Sequence, residues 1–104
     1  EARREGTGVA SARYLPGVRL VRAFNAIAWT NLRDLGNRAG SRVAIPLAGD
    51  DARAVSTVAG LVRDAGFDPV VVGGLSEARR FDVDTAVYVK VLDAAQLRSE
   101  LKLP

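Results

Sequence analysis

A glycine-rich segment is the first candidate for chemistry in this chain. Gly6-Thr7-Gly8-Val9-Ala10-Ser11 has the spacing of a phosphate-binding G-x-G-x-x-G loop, with serine in the last position. Such a loop follows a buried strand and opens a helix, so that backbone amides and the helix dipole face a pyrophosphate. Residues 1–5 include two arginines and two glutamates, which argues against a buried strand there. The segment therefore predicts a helix start with Thr7 as its cap rather than a phosphate site.

Two pairs of acidic residues have the side chains that acid-base catalysis or a magnesium site requires. Asp50 and Asp51 directly precede an apolar helical pattern, where a helix needs a cap and where negative charge is favourable. Asp82 and Asp84 alternate within a predicted loop, which is typical of solvated turns. We expect structural roles for both pairs and no bound metal.

Two strand ends form the remaining candidate site. Ala23-Phe24-Asn25-Ala26-Ile27 follows one predicted strand, and Gly73-Gly74-Leu75 follows another, with Arg79 or Arg80 able to reach an anionic group. In open α/β sheets, ligands bind outside the carboxyl ends of parallel strands. The sequence therefore predicts a ligand site at this edge of the sheet.

The elements expected to position these residues alternate between helix and strand, as in an α/β sheet. Apolar periodicity and stop signals predict, in order, a helix at 9–15, strands at 18–24, 42–48 and 69–72, helices after Asn25 and at 54–65, and a helical turn at 76–80. A structural interpretation of the first strand end stays open, in which Asn25 caps its helix and Trp29 packs in the core. That helix would bury Ala28, Leu32 and Leu35 on one face.

Three further patterns lead to testable expectations about packing. Pro46 removes one ladder donor from the second strand, which favours an edge position or a local bulge. The long helix carries an apolar stripe of Ala54, Val58, Leu61, Val62 and Ala65. In the tail, Val87, Val89 and Val91 alternate with polar residues as in a half-buried strand, and Asp93 and Gln96 have the spacing of a capping box before a short helix.

Composition limits the classes of protein. The chain has 104 residues, 48% of them hydrophobic and 26% charged, as expected for a single globular domain. The absence of cysteine and histidine excludes disulfides, thiolate metal sites and most triad and metalloenzyme mechanisms. Methionine is also absent, so we expect Glu1 to be an internal position and the chain to be a fragment. No apolar run reaches the roughly 18 residues of a membrane helix, and we expect a soluble, cytoplasmic protein without membrane contact.

The basic balance does not point to nucleic acid. The formal net charge is +3 and the calculated pI is near 10.0. Basic residues are scattered singly, apart from Arg3 with Arg4 and Arg79 with Arg80, whereas nucleic-acid binding needs a clustered basic face. We therefore expect no nucleic-acid partner.

The order of these motifs resembles a known family. RLVRAFNAIAWTNLRD followed by VAIPLAGDDARAVSTVAGLVRDAGFDPVVVGGLSEARRFD is similar to the second half of the deazaflavin-dependent NADP oxidoreductases, and to the cytosolic reductase domain of the six-transmembrane ferric reductases. The similarity covers roughly Gly6 to Phe81, and the tail after Phe81 departs from it. Gly74 stands where the family often has proline, and the glycine loop of the family's first half is absent.

The resemblance implies half of a Rossmann-like, mostly parallel sheet with flanking helices. It implies hydride transfer between NADP and a flavin or deazaflavin carrier, which needs no catalytic side chain because the cofactor carries the chemistry. The residues it places beside the nicotinamide are Phe24, Asn25, Ala26, Ile27 and Trp29. Those it places near the second substrate are Gly74, Leu75 and Arg79, with Arg79 alternatively at a subunit interface.

We accordingly expect the substrate-side half of an NADP-dependent oxidoreductase, inactive in isolation, with a small-molecule redox carrier as its partner. The alternative is a non-enzymatic α/β binding or dimerisation module. Cutting a sheet in two exposes a strand edge, which is seldom left unpaired. We therefore also expect a homodimer whose interface includes the strand at 18–24 or the segment 87–101.

Overall fold

Two parallel strands form the centre of the molecule. The structure, a computed structural model, describes residues 6–14 and 17–104. Strand β2 is Ala44–Gly49 and strand β3 is Asp68–Gly73, paired in register from Ala44 opposite Asp68 to Leu47 opposite Val71. A bulge between Leu47 and Ala48 then shifts the pairing. Five of the six residues of β2 are apolar and buried or nearly so, because helices cover both faces of the sheet.

The first strand differs from its prediction in length and in direction. Strand β1 is only Val21–Arg22, and it pairs antiparallel with β2 in a sheet of order β1-β2-β3. The expectation of an edge position for Pro46 is wrong, since β2 is the central strand, although the bulge lies one residue after it. The described part of β1 pairs only with Ala48 and Gly49, so Pro46 has no strand partner on that side.

The longest helix covers one face of the sheet through a different stripe from the one predicted. Ala52–Asp64 begins at the N-cap Asp51, whose side chain accepts a hydrogen bond from Ala54 N at 2.9 Å. Its buried residues are Val55, Ala59 and Val62, which pack against Val43, Ile45, Leu47 and Phe67. Only Val62 was expected in this set. Two adjoining stripes of the helix are apolar, and periodicity alone does not choose the one that meets the sheet.

The other face of the sheet is covered by short helices, among them the 3₁₀ helix and the last helix of the chain. The described helices in chain order are α1 (Thr7–Tyr14), α2 (Trp29–Asp34), α3 (Ala52–Asp64), a 3₁₀ helix (Leu75–Phe81) and α4 (Ala94–Glu100). Phe81 and Leu97 pack with Val70 and Val72 in the second core cluster. The expected capping box of α4 is present, with Asp93 and Gln96 each accepting a hydrogen bond from the other's backbone N–H at 2.9 Å.

Two expected elements are absent or altered. Residues 87–89 form a turn and residues 90–91 have no regular structure, so the predicted strand is absent: Val87 is buried, while Val89 has a left-handed φ of 56°. Helix α2 begins after Ala28, not Asn25, and buries none of its residues. The predicted face of Leu32 with Leu35 is only partly covered.

The fold class is nevertheless the expected one. The described chain is an α/β unit with a three-stranded mixed sheet, mostly parallel in its pairing and flanked by helices. This agrees with half of a Rossmann-like sheet. None of the helices in the described residues has both the length and the apolar character needed to cross a membrane.

Candidate functional site

The turn after β1 holds four of the five residues expected to bind a cofactor, and the fifth, Trp29, is the first residue of helix α2. Phe24 has a left-handed φ of 62°, a conformation that costs a residue with a side chain roughly 1–2 kcal/mol. The Ala26 carbonyl accepts a hydrogen bond from Val89 N at 2.7 Å, and Ala26 itself is buried in the core. Phe24 and Ile27 pack against the opposite core cluster. The turn is therefore anchored on both faces of the sheet.

Asn25 is the polar side chain of this turn, and it does not act as a helix cap. Its Nδ2 donates to the Phe81 carbonyl at 3.1 Å, which ties the turn to the end of the 3₁₀ helix. Its Oδ1 is buried and has no hydrogen-bond partner among the described residues. A buried acceptor left without a donor costs about 1–3 kcal/mol. Asn25 thus offers an unused acceptor beside an anchored turn.

Trp29 lies on the surface instead of in the core. Its side chain is 71% exposed, and the Arg33 guanidinium lies 5.1 Å from the ring centroid, within the range of a cation–π contact. Arg33 also donates two hydrogen bonds to Asp34, at 2.7 and 2.8 Å. These bonds raise the pKa of Arg33 and lower the pKa of Asp34. Sequence reasoning missed Arg33, although its spacing of four residues from Trp29 on a helix is a usable signal.

Two of the three residues expected to bind the second substrate lie at the start of the 3₁₀ helix, and Arg79 lies in its last turn. Gly74 is its N-cap, and Leu75 N donates to Asp50 Oδ1 at 2.9 Å. A Cβ on Gly74 would lie 2.8 Å from that oxygen, so glycine permits the close approach of Asp50. Leu75 is buried and Arg79 is exposed. Asp50 therefore caps the 3₁₀ helix, while Asp51 caps α3.

The two predicted groups do not share one edge of the sheet. Because β1 is antiparallel to β2, the Asn25 turn lies toward the amino end of β2, whereas Gly74 follows the carboxyl end of β3. The expectation that both strand ends meet at the carboxyl edge is therefore wrong. The 3₁₀ helix connects the two places, since it begins after Gly74 and ends at Phe81, the partner of Asn25.

The glycine-rich segment is the start of a helix, as expected, but Thr7 is the first residue of α1 and not its cap, and a carboxylate of the protein occupies the amino end of the helix. Thr7 N and Thr7 Oγ1 donate to the two oxygens of Asp82, each at 2.9 Å. Arg22 lies 3.6 Å from the same carboxylate. Asp82 is only 8% exposed, so the expectation of a solvated turn is wrong for this residue. The anion at the amino end of α1 is therefore the Asp82 carboxylate of the protein itself.

One groove on the described surface lies beside the contact of Asp50 with Leu75, and two larger ones lie along α3. A groove of about 260 Å³ at the carboxyl end of β2 is lined by Asp50 and Leu75, together with residues of α1 and the segment before β1. Larger grooves of about 750 and 440 Å³ follow the two flanks of α3, and neither includes the Asn25 turn. Among the described residues, no group of three or more histidine, cysteine, aspartate or glutamate side chains is arranged to hold a metal ion.

Comparison with solved structures relates this arrangement to known proteins. A candidate F420-dependent NADP reductase from Arthrobacter sp. FB24 superposes with a TM-score of 0.62 at 29% identity, over 69% of this chain and 33% of that one. This chain is similar in fold to a candidate NADP reductase. A hypothetical protein from Sinorhizobium meliloti superposes with a TM-score of 0.77 at 25% identity, over 86% of this chain and 44% of its own.

The chain thus spans less than half the length of both solved proteins. No family model matches it. No curated protein matches it in sequence.

Proposed function

We propose that this chain is the substrate-side part of an NADP-dependent oxidoreductase that transfers hydride between NADP and a flavin-like or deazaflavin carrier. The observation that supports this most directly is its fold similarity to the candidate F420-dependent NADP reductase over 69% of its residues. Bound cofactors supply the hydride chemistry, so the residues of this chain need only bind and orient them. The similarity to six-transmembrane ferric reductases stays a prediction from sequence.

Asn25 is proposed as the residue that orients the nicotinamide. The nicotinamide carboxamide carries two N–H donors, and the buried Oδ1 of Asn25 is an acceptor without a donor. The bond from Asn25 Nδ2 to the Phe81 carbonyl fixes the orientation of the amide and so leaves Oδ1 as its free acceptor. Phe24, Ala26 and Ile27 would hold the turn in shape, and the exposed ring of Trp29 would offer an apolar plane next to it.

The second substrate is proposed to contact Gly74, Leu75 and Arg79. Arg79 lies two residues before Phe81, so it is the member of this group nearest to the Asn25 turn along the 3₁₀ helix. Its exposed guanidinium suits an anionic group of the carrier. Gly74 lies at the far end, about 14 Å away at the roughly 2 Å rise per residue of a 3₁₀ helix. Gly74 and Leu75 would therefore meet a remote part of the carrier and not the reacting ring.

Residue-resolved NMR tests this assignment even when binding is weak. The ¹⁵N-labelled chain is titrated with NADP and, separately, with flavin mononucleotide or an 8-hydroxy-5-deazaflavin. We expect NADP to shift the amides of Phe24 to Ile27 and the indole N–H of Trp29, and the flavin compound to shift the amides of Leu75 and Arg79. Trp29 is the single tryptophan of the sequence, so its indole signal needs no assignment.

Asn25→Ala should remove the NADP shifts, while Asn31→Ala, a change in the neighbouring helix, should keep them. Shifts that are absent for both compounds, or confined to other surfaces, would contradict the proposal and favour a non-enzymatic module.

A further inference from the structure

Helix α3 carries an apolar stripe that the described chain covers only in part. Ala54, Val58, Leu61 and Ala65 recur along one side of the helix at spacings of four, three and four. Leu61 is 57% exposed, although the helix already buries a separate face against the sheet. Exposed leucine within a continuous apolar stripe is typical of a protein–protein contact.

The stripe continues into the β1 edge of the sheet. Ala54 and Val58 share the groove of about 750 Å³ with Val21 of β1, and Arg19 and Arg53 also line it. Among the described strands, β1 pairs only with β2, so its outer edge carries free backbone donors and acceptors. The flank of the helix and the edge of the strand therefore form one surface.

The charges at the two ends of the stripe are opposite in sign. Arg53 lies in the first turn of α3 and Asp64 in the last, both exposed, and neither forms an ion pair with another described residue. They are eleven positions apart, about three turns, which places them on the same side of the helix. If a helix with this charge pattern is turned to the opposite direction, its positive end takes the position of its negative end and its negative end that of its positive end.

We propose that this surface is covered by a second copy of the chain. A two-fold axis normal to the sheet packs α3 antiparallel against its counterpart, with Val58 against the partner's Leu61 and Ala54 against the partner's Ala65. The same axis brings Arg53 to the partner's Asp64 twice, and it brings the β1 edges together in antiparallel direction. The stripe and the charge pattern are self-complementary under this operation, as an isologous interface requires. The inference does not depend on NADP binding.

Sedimentation equilibrium of the 104-residue chain at micromolar concentration is the first test. We expect a dimer, and we expect Leu61→Lys to make it a monomer because a charge would be buried in the contact. Val71→Lys is the matched control, since Val71 is also exposed, at 48%, but lies beyond the opposite flank of α3. A monomeric wild type would overturn the proposal, as would a dimer that tolerates Leu61→Lys.

A charge exchange tests the antiparallel direction. Arg53→Glu or Asp64→Arg alone should raise the dimer dissociation constant about tenfold or more, since each change replaces two attractive contacts with repulsive ones. The double variant should restore it, because the pairs are then exchanged. Both new residues suit the local helix dipole, so the helix itself remains stable. Additive losses in the double variant would overturn the antiparallel arrangement.

A single introduced cysteine gives an independent measurement. The chain contains no cysteine, so any disulfide formed by Leu61→Cys joins two copies through that position. We expect rapid cross-linking of Leu61→Cys under mild oxidation and none of Ser76→Cys, which is exposed on the 3₁₀ helix. Equal rates for the two variants would contradict the interface.

Discussion

Adjacent carboxylates in this protein have separate structural roles. Asp51 caps α3 through Ala54 N, and Asp50 caps the 3₁₀ helix through Leu75 N. We expect Asp51→Ala to lower the free energy of unfolding by about 0.5–2 kcal/mol, the usual value of an N-cap. Asp51→Ser should recover most of the loss because serine is also a good cap. Urea unfolding measures both. Magnesium that raises the melting temperature of the wild type but not of Asp51→Ala would instead show a metal site.

The pair of Arg33 and Asp34 leads to a pH prediction. The two hydrogen bonds from Arg33 lower the pKa of Asp34, so the carboxylate should titrate below the ordinary value of about 3.9. Its folded-state pKa is depressed, so any stabilisation is present above the unfolded-state pKa and is lost as the pH falls through the folded one. Both side chains are exposed, which keeps that contribution small.

The titration of the Asp34 carboxyl carbon by NMR checks the effect. Arg33→Gln should return its midpoint to the ordinary range, and Arg38→Gln should leave it depressed. An Asp34 midpoint that does not respond to Arg33→Gln would show that the hydrogen bonds from Arg33 are not the cause.

At the scale of elements, successive side chains of β3 lie on opposite faces of the sheet and differ in their burial. Val70 is fully buried, while its neighbour Val71 is 48% exposed. We expect Val70→Ala to cost about 2 kcal/mol, from two lost methyl groups and the cavity they leave. Val71→Ala should cost less than about 1 kcal/mol, within the range of strand propensity. Thermal unfolding of the two variants provides the comparison, and equal losses would contradict the assigned faces.

Elements with strong local signals could be predicted from sequence, whereas directions and long-range pairings could not. Strands β2 and β3, helix α3 with its cap and the capping box of α4 follow from nearby residues. The antiparallel direction of β1 follows from its pairing with Ala48 and Gly49, far along the chain. The alternation of Val87, Val89 and Val91 predicted a strand, but the bond from Val89 N to the Ala26 carbonyl fixes a turn.

The candidate site shows the same division. The segment after β1 was identified because it follows a strand, but the role of Asn25 depends on Phe81, which lies 56 residues away. Asp82 resembled a loop residue because nothing near it in sequence reveals Thr7 as its partner. Local patterns found the segments, and tertiary contacts set what their side chains do.

At the scale of the whole molecule, we expect the 104-residue chain to bind NADP only weakly. The phosphate groups of a dinucleotide need backbone amides at a helix start, and the one glycine-rich helix start among the described residues already holds the Asp82 carboxylate. Calorimetric titration measures the affinity. A dissociation constant in the low micromolar range would contradict this expectation.

The bond between Thr7 and Asp82 also has a consequence for the order of folding. It joins residues 75 positions apart, so docking of α1 closes a loop through most of the chain. Closing a long loop costs conformational entropy, and we expect this closure to follow the formation of the sheet. Helix α1 should therefore dock last and open first. In native-state hydrogen exchange, we expect the amides of Thr7–Tyr14 to exchange through a local opening that leaves β2 protected. Asp82→Ala should make that opening more frequent without accelerating exchange in β2, and simultaneous exchange of both elements would show that α1 belongs to the cooperative core.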